Sequence, residues 1–204
     1  MKHRVGILIS GRGSNMASLI AAARDPAYPA EIVLVIANRP EALGLASAAA
    51  AGIPTLAIDH RDFPRDRAAH ERAIDAALRA ARVEVVCLAG YMRLLTPFLV
   101  DAWAGRMLNI HPSLLPLFPG LHTHRRALEA GGKLHGCTVH QVIEAVDAGP
   151  ILGQAAVPVL AGDDEETLAA RVLAAEHRLY PAVLAKLCGS AALALNPSNV
   201  LLNV

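Results

Sequence analysis

Asn109 and His111 stand two residues apart in the run RMLNIH, and Pro112 stops the run at once. On an extended chain, residues two apart point to the same side, so this amide and imidazole can converge on one reacting centre. The amide can donate a hydrogen bond to a developing oxyanion, and the imidazole can move a proton near neutral pH. The blander alternative is a strand-end pair bonded to loop backbone. Asp147, in IEAVDAGPI, is the acidic residue that can complete the set. A carboxylate beside His111 favours its charged form by opposite-charge attraction. An Asp in such a stretch also commonly serves only to make a turn.

A second chemistry-bearing stretch is ISGRGSNM, residues 9 to 16. Gly11 and Gly13 permit a tight turn between strand and helix, and Ser14 and Asn15 are good helix-capping types. Such a turn aims backbone N–H groups and the positive helix end at an anion, typically a phosphate. Residue 16 is Met and no Gly-Lys-Ser/Thr follows, so dinucleotide and nucleoside-triphosphate loops are disfavoured. A tight turn with no ligand remains the alternative. His111, His122, His124, His135 and His140 lie near one another in sequence, but no HExxH and no zinc-type Cys/His spacing is present. Loop or strand-surface histidines are expected there, with no metal site.

The elements that must hold these groups alternate cleanly in the first half. RVGILIS, EIVLVIAN, PTLAID and VEVVCLAG read as strands. SNMASLIAAARD, EALGLASAAAAG and RAAHERAIDAALRAAR read as the helices between them. Strands that are apolar throughout and separated by helices indicate a parallel sheet covered on both faces. In the second half, TPFLVDAWAG and HTHRRALEAG read as helices, RMLNIH as a strand, and EETLAARVLAAEHRLYPAVLAKLC as a last long helix. HGCTVHQVI and ILGQAAVPV alternate like strands with one solvated or ligand-facing side. That places Asn109 and His111 at the carboxyl end of a strand, where open α/β sheets hold ligands.

The chain has 204 residues, 54% of them hydrophobic and 3% aromatic, which suits one large domain with an aliphatic core. A net charge of +1 argues against nucleic-acid binding through bulk charge. Cys87, Cys137 and Cys188 form no CxxC and no disulfide framework, as a reducing cytosol would favour. No targeting segment and no membrane-length apolar run is evident, so a cytoplasmic protein without a membrane partner is expected.

Taken together, these stretches resemble the phosphoribosylglycinamide formyltransferase family, the folate-dependent enzymes of purine biosynthesis. The resemblance runs from ILISGRGSNM to AAEHRLYP through VVCLAGYMRLLTP, GRMLNIHPSLLPLFPGLHTH, HGCTVHQVIEAVDAGPIL and VPVLAGDDEETLAARV. It implies transfer of the formyl group of 10-formyltetrahydrofolate to the primary amine of phosphoribosylglycinamide. Asn109, His111 and Asp147 become the catalytic trio: the amide and protonated His111 meet a tetrahedral oxyanion, Asp147 keeps His111 charged, and a water relays a proton. Gly13, Ser14 and Asn15 match the segment that cradles the substrate phosphate, and Glu176 matches the acid that binds the ribose hydroxyls. Met92, Arg93, Leu94 and Leu95 flank the pterin, with Ile143, Glu144, Ala145, Val146 and Asp147 as its other wall and Asn109 also in contact. Arg67 is matched to the glutamate tail of the folate, although DFPRDRAA can be aligned with Arg65 there instead. Thr138 and His140 are supporting partners of the trio.

The fold implied is a three-layer α/β/α sandwich with a Rossmann-like first half, a mostly parallel mixed sheet and one antiparallel strand placed by the resemblance. Residues 1–188 form the formyltransferase domain, and 189–204 is a tail without an assignment. The folate is a co-substrate that leaves after each turnover, and no metal or tightly bound cofactor is implied. Monomer and homodimer both stay open. Arg12 departs from the Asn expected in the phosphate loop. A formyltetrahydrofolate deformylase would carry an additional domain in front, and a methionyl-tRNA formyltransferase an RNA-binding extension. A non-catalytic phosphosugar- or folate-binding module would have no need of the intact trio.

Overall fold

Runs of Ile, Val and Leu with no polar face cannot leave either side of a strand in water, and this chain covers both sides of nearly all of them. The computed structural model describes residues 1–189 and 201–203. The strands are β1 (His3–Ile9), β2 (Ala30–Ala37), β3 (Thr55–Ala57), β4 (Val85–Leu88), β5 (Met107–His111), β6 (Leu134–Gln141), β7 (Ile151–Pro158) and β8 (Leu201–Asn203). The helices are α1 (Ser14–Ala23), α2 (Leu43–Ala50), α3 (Arg67–Ala80), α4 (Pro97–Ala102), α5 (Thr123–Glu129) and α6 (Glu165–Gly189). One sheet runs in the order β3-β2-β1-β4-β5-β6-β7-β8. Its pairs are parallel except β5–β6 and β6–β7, so β6 alone runs against the others. Of the tail taken as 189–204, residues 190–200 and 204 lie outside the described residues, and 201–203 add an edge to β7.

Two cores make the three layers. Met16, Leu19 and Ile20 of α1, Ala48 of α2 and Leu168, Val172, Leu179 and Leu184 of α6 cover one face of the sheet. Ile74 and Leu78 of α3, with Leu99 and Trp103 around α4, cover the other. Tyr180 of α6 is fully buried, and its hydroxyl meets the carbonyls of Leu88 (3.1 Å) and Leu108 (3.2 Å), strapping the helix across β4 and β5. Those carbonyls sit beside Asn109, because Leu88 pairs with Asn109 in the β4–β5 register. Strand order reverses between β1 and β4, which opens the crevice at the carboxyl ends of the strands where α/β folds place ligands.

Three sequence expectations are corrected. PTLAID contributes only a three-residue strand with every residue exposed, because β3 is an edge with a single neighbour. Of the solvated or ligand-facing side expected for β6, the solvated alternative falls: six of its eight residues are buried in a row, and Thr138 and His140 lie on the face of Asn109 and His111. The reason is the loop after β5, whose Ser113 carbonyl accepts from Thr138 Oγ1 (2.7 Å) and whose Leu115 N–H donates to the same oxygen (3.0 Å). His140 is buried on that face and His135 is buried against His124 of α5 and Phe118, so neither is a strand-surface histidine.

Burial of His135 has a measurable consequence. Its Nε2 lies 3.2 Å from His124 Nδ1, and desolvation, aided by the nearby His124 and His111, lowers its pKa to about 4. An unfolded histidine takes a proton near pH 6.5, whereas the folded His135 resists it down to about 4. The contribution to stability is thus complete above pH 6.5 and is lost on acidification, by about 1.4 kcal/mol for each unit between those values. Denaturant titrations at pH 7 and pH 5 are expected to show a smaller acid loss in His135→Gln than in the parent protein. Equal losses would contradict the assignment.

Candidate active site

Alternation along β5 turns Asn109 and His111 to the same face, and the antiparallel register sets His140 opposite Asn109 and Thr138 opposite His111. The Nδ1 atom of His140 lies 2.8 Å from the Gln141 carbonyl, which can only accept, so Nδ1 carries the proton. Burial lowers the pKa of His140 and keeps the ring neutral, which leaves Nε2 as an acceptor. That acceptor takes a hydrogen bond from Asn109 Nδ2 at 3.2 Å. The Asn109 amide is thereby held nitrogen-inward, with its second N–H available to a ligand.

Asp147 arrives from the turn after β6. Its backbone is left-handed, with φ 54°, a conformation that Asp tolerates better than most residues. Two residues later Gly149 lies against β6 so closely that a Cβ would overlap the Gln141 carbonyl, and only Gly lets the turn deliver Asp147 there. Asp147 Oδ2 accepts from the Gly120 N–H (2.8 Å) and lies 3.5 Å from His111 Nδ1. Its Oδ1 lies 3.8 Å from His140 Nε2. The other nitrogen of His111, Nε2, donates to the Phe118 carbonyl at 3.1 Å. A carbonyl thus claims the Nε2 proton, so the atom free to gain or lose one is Nδ1, facing Asp147.

Asn109, His140, Asp147 and His111 therefore follow one another around a polar ring that is open between His111 and Asn109 and roofed by the 118–120 loop. Thr138 stands one step behind it, holding the root of that loop and accepting from Gln154 Nε2 (3.0 Å). The nearly buried histidine and carboxylate can exchange a proton, while the amide supplies a fixed donor. Among the described residues, no group of three or more His, Cys, Asp or Glu side chains is placed to hold a metal ion.

The Gly-rich turn lies at the carboxyl end of β1, two strands from β5 and so roughly 10 Å away along the rim. Gly13, with φ 72°, is the N-cap of α1, and no side chain caps the helix. This corrects the capping role expected of Ser14 and Asn15: Ser14 begins the helix, and the Asn15 amide reaches Glu176 Oε2 (2.7 Å) instead. The uncapped first turn opens on a cavity of about 340 Å³, which Arg12, Arg39 and His60 also line. Glu176 is only 5% exposed, and burial raises its pKa against the Asn15 hydrogen bond. Asn15 Oδ1 is buried without a partner, so this corner holds both an acceptor in want of a donor and a costly carboxylate. Both features fit a hydroxylated ligand.

Met92 and Leu94 are 69% and 60% exposed, and Arg93 and Leu95 half-buried, so the segment after β4 lies on the rim rather than in the core. The Ser10 hydroxyl joins it to the Gly-rich turn, accepting from Met92 N–H (2.8 Å) and donating to Asn38 Oδ1 (2.6 Å). Glu71 of α3 holds its far end, accepting from both the N–H and the hydroxyl of Thr96. Ile143, Glu144, Ala145 and Val146 are exposed on the turn that carries Asp147. Leu95 and Val142 anchor the two segments in the same core. Exposed Met, Leu, Ile and Val side chains on two such segments offer an apolar slot of the kind that receives a flat ring. Arg67 is exposed one turn ahead of Glu71 on the helix face packed toward this segment, whereas Arg65 precedes the helix in a left-handed conformation.

Residue types alone do not reveal the Phe118 carbonyl, the Gly120 N–H or the Ser10 tie. The first two are backbone groups without a side-chain signature. Ser10 could have been suspected from its place between a strand and the Gly-rich turn.

The sequence pattern of the formyl transferase family matches residues 3–184. A trifunctional purine biosynthetic protein adenosine-3 from Drosophila pseudoobscura pseudoobscura is 55% identical over 192 residues, which make up 93% of this chain but only 14% of that protein. The phosphoribosylglycinamide formyltransferase of Escherichia coli (strain K12) is 46% identical over 178 residues, 87% of this chain and 84% of that protein. A crystal structure of phosphoribosylglycinamide formyltransferase from Brucella melitensis, 60% identical, superposes with a TM-score of 0.89 over 95% of this chain and all of that one. The chain belongs to the formyl transferase family.

Proposed function

We propose that residues 1–188 form a phosphoribosylglycinamide formyltransferase domain that takes its formyl group from 10-formyltetrahydrofolate. The observation that carries this reading is the joint presence of an uncapped helix start beside Glu176 and, roughly 10 Å along the same rim, the Asn109–His111–Asp147 set. A phosphate bound at Gly13–Asn15 and a ribose whose hydroxyls meet Glu176 and Asn15 Oδ1 leave a short amide arm able to reach β5. The slot between Met92–Leu95 and Ile143–Asp147 takes the pterin, Asn109 meets the formyl end, and Arg67 meets the glutamate carboxylate.

In the reaction the amine lone pair forms a bond to the formyl carbon, and the carbonyl electron pair moves onto oxygen. The free N–H of Asn109 meets that oxyanion, and the proton on His111 Nδ1, separated from Asp147 by 3.5 Å, is shared with it. Asp147 lies beside that ring as its counter-charge, and a water passes the amine proton to the folate nitrogen. The oxyanion then re-forms the carbonyl as the bond to that nitrogen breaks, releasing tetrahydrofolate and the glycinamide formylated at its amine. The folate is consumed as a substrate, and the residues named here bind, orient and move protons without a resident cofactor.

Glu176→Gln tests the substrate end. Loss of hydrogen bonds to a charged acceptor typically costs 1.5–3 kcal/mol, so KM for phosphoribosylglycinamide should rise roughly tenfold to a hundredfold. KM for the folate should stay within about twofold. A variant that changes both constants equally, or neither, would remove Glu176 from the glycinamide subsite.

A further inference from the structure

Arg126 lies outside the polar ring, on α5, yet it holds the loop that the ring depends on. Its Nη1 donates to the Pro119 carbonyl (2.5 Å) and to the Leu121 carbonyl (3.4 Å). Its guanidinium lies 5.5 Å from the centre of the Phe118 ring, within the range of an attractive cation–π contact. The bonds along this loop alternate. Residues 119 and 121 give their carbonyls to Arg126, while the Phe118 carbonyl accepts from His111 Nε2 and the Gly120 N–H donates to Asp147 Oδ2. Phe118 and His122, at either end, both have left-handed backbones (φ 53° and 58°), which L side chains adopt at a cost and keep only where their surroundings hold them.

We infer that Arg126 is a positioning residue for the catalytic pair: by clamping Pro119, Leu121 and the Phe118 ring, it sets the carbonyl that keeps a proton on His111 Nε2 and the N–H that aims Asp147. Its contacts are with the loop itself, at Pro119, Leu121 and Phe118. His111 Nδ1 is then the working nitrogen only while the Phe118 carbonyl stays in place, and a planar guanidinium suits the double task of two carbonyls and an aromatic face. The inference rests on the proposed formyl transfer for its kinetic readout but not for its spectroscopic one.

Arg126→Ala is expected to lower kcat roughly tenfold to a hundredfold, as small displacements of catalytic groups do, with both KM values within about twofold. Arg126→Lys, which keeps a donor for the carbonyls but loses the planar face against Phe118, should recover part of that loss. Nitrogen-15 spectra of the imidazoles, with His111→Gln as the assignment control, should show a protected Nε2–H on His111 in the parent protein and its loss in Arg126→Ala. If that signal and kcat both survive the alanine substitution in a folded protein, the clamp is wrong. A lysine variant no better than alanine would also overturn the hydrogen-bond role. Should the parent protein catalyse no formyl transfer, the proposed function fails, and the His111 signal still decides the clamp by itself.

Discussion

His111→Ala is expected to reduce kcat by roughly a hundredfold to a thousandfold, the usual worth of a donor to a developing oxyanion. Its position explains why no neighbour can substitute. His140 is the nearest other imidazole in the ring, but its Nδ1 proton is committed to the Gln141 carbonyl, its Nε2 is occupied by Asn109, and burial holds it neutral. Removing His111 also leaves the Phe118 carbonyl and one face of Asp147 without their partner. KM for the glycinamide should change little, since the phosphate and ribose contacts proposed for it lie at the β1 end of the rim. Steady-state kinetics on the purified variant check this, and a loss smaller than tenfold would show that His111 does not stabilise the oxyanion.

Asn109→Ala is expected to cost about 3–4 kcal/mol of transition-state stabilisation, which is roughly a hundredfold to a thousandfold in kcat. The amide is held in advance: His140 Nε2 accepts one of its hydrogens, so the second needs no reorganisation when an oxyanion forms. Asn109→Asp makes a sharper comparison at nearly the same volume. It replaces a donor with a carboxylate that faces both the acceptor atom of His140 and the developing negative charge, so it should be at least as damaging as alanine. Single-turnover rates under saturating substrates separate this loss from any change in binding. An aspartate variant close to the parent rate would mean that Asn109 donates nothing to the reacting oxygen.

Much of the frame is legible in the residues. Alternating apolar strands and helices give the parallel half of the sheet, and the two-residue spacing gives the shared face of Asn109 and His111. The rest depends on contacts that no local pattern encodes. β6 reads as one-sided because its outer cover is the irregular loop around Ser113 and Leu115, held through Thr138 rather than by a helix. Ser14 and Asn15 have capping chemistry, yet Gly13 takes the N-cap position and the Asn15 side chain turns to Glu176, far along the chain. Asp147 reads equally well as a turn residue until its left-handed backbone and the close approach at Gly149 bring it to His111. Its link to the pair came from the family resemblance, not from spacing. The carbonyl of Phe118 and the N–H of Gly120 decide which nitrogen of His111 works, and any residue type could supply them.

The most direct test follows consumption of 10-formyltetrahydrofolate by absorbance, with and without phosphoribosylglycinamide, in the presence of a chelator. The account predicts turnover that requires the glycinamide, yields formylated amide in equal amount to tetrahydrofolate, and is indifferent to chelation. Folate product released at the same rate without the amine would make water the acceptor and contradict the transferase.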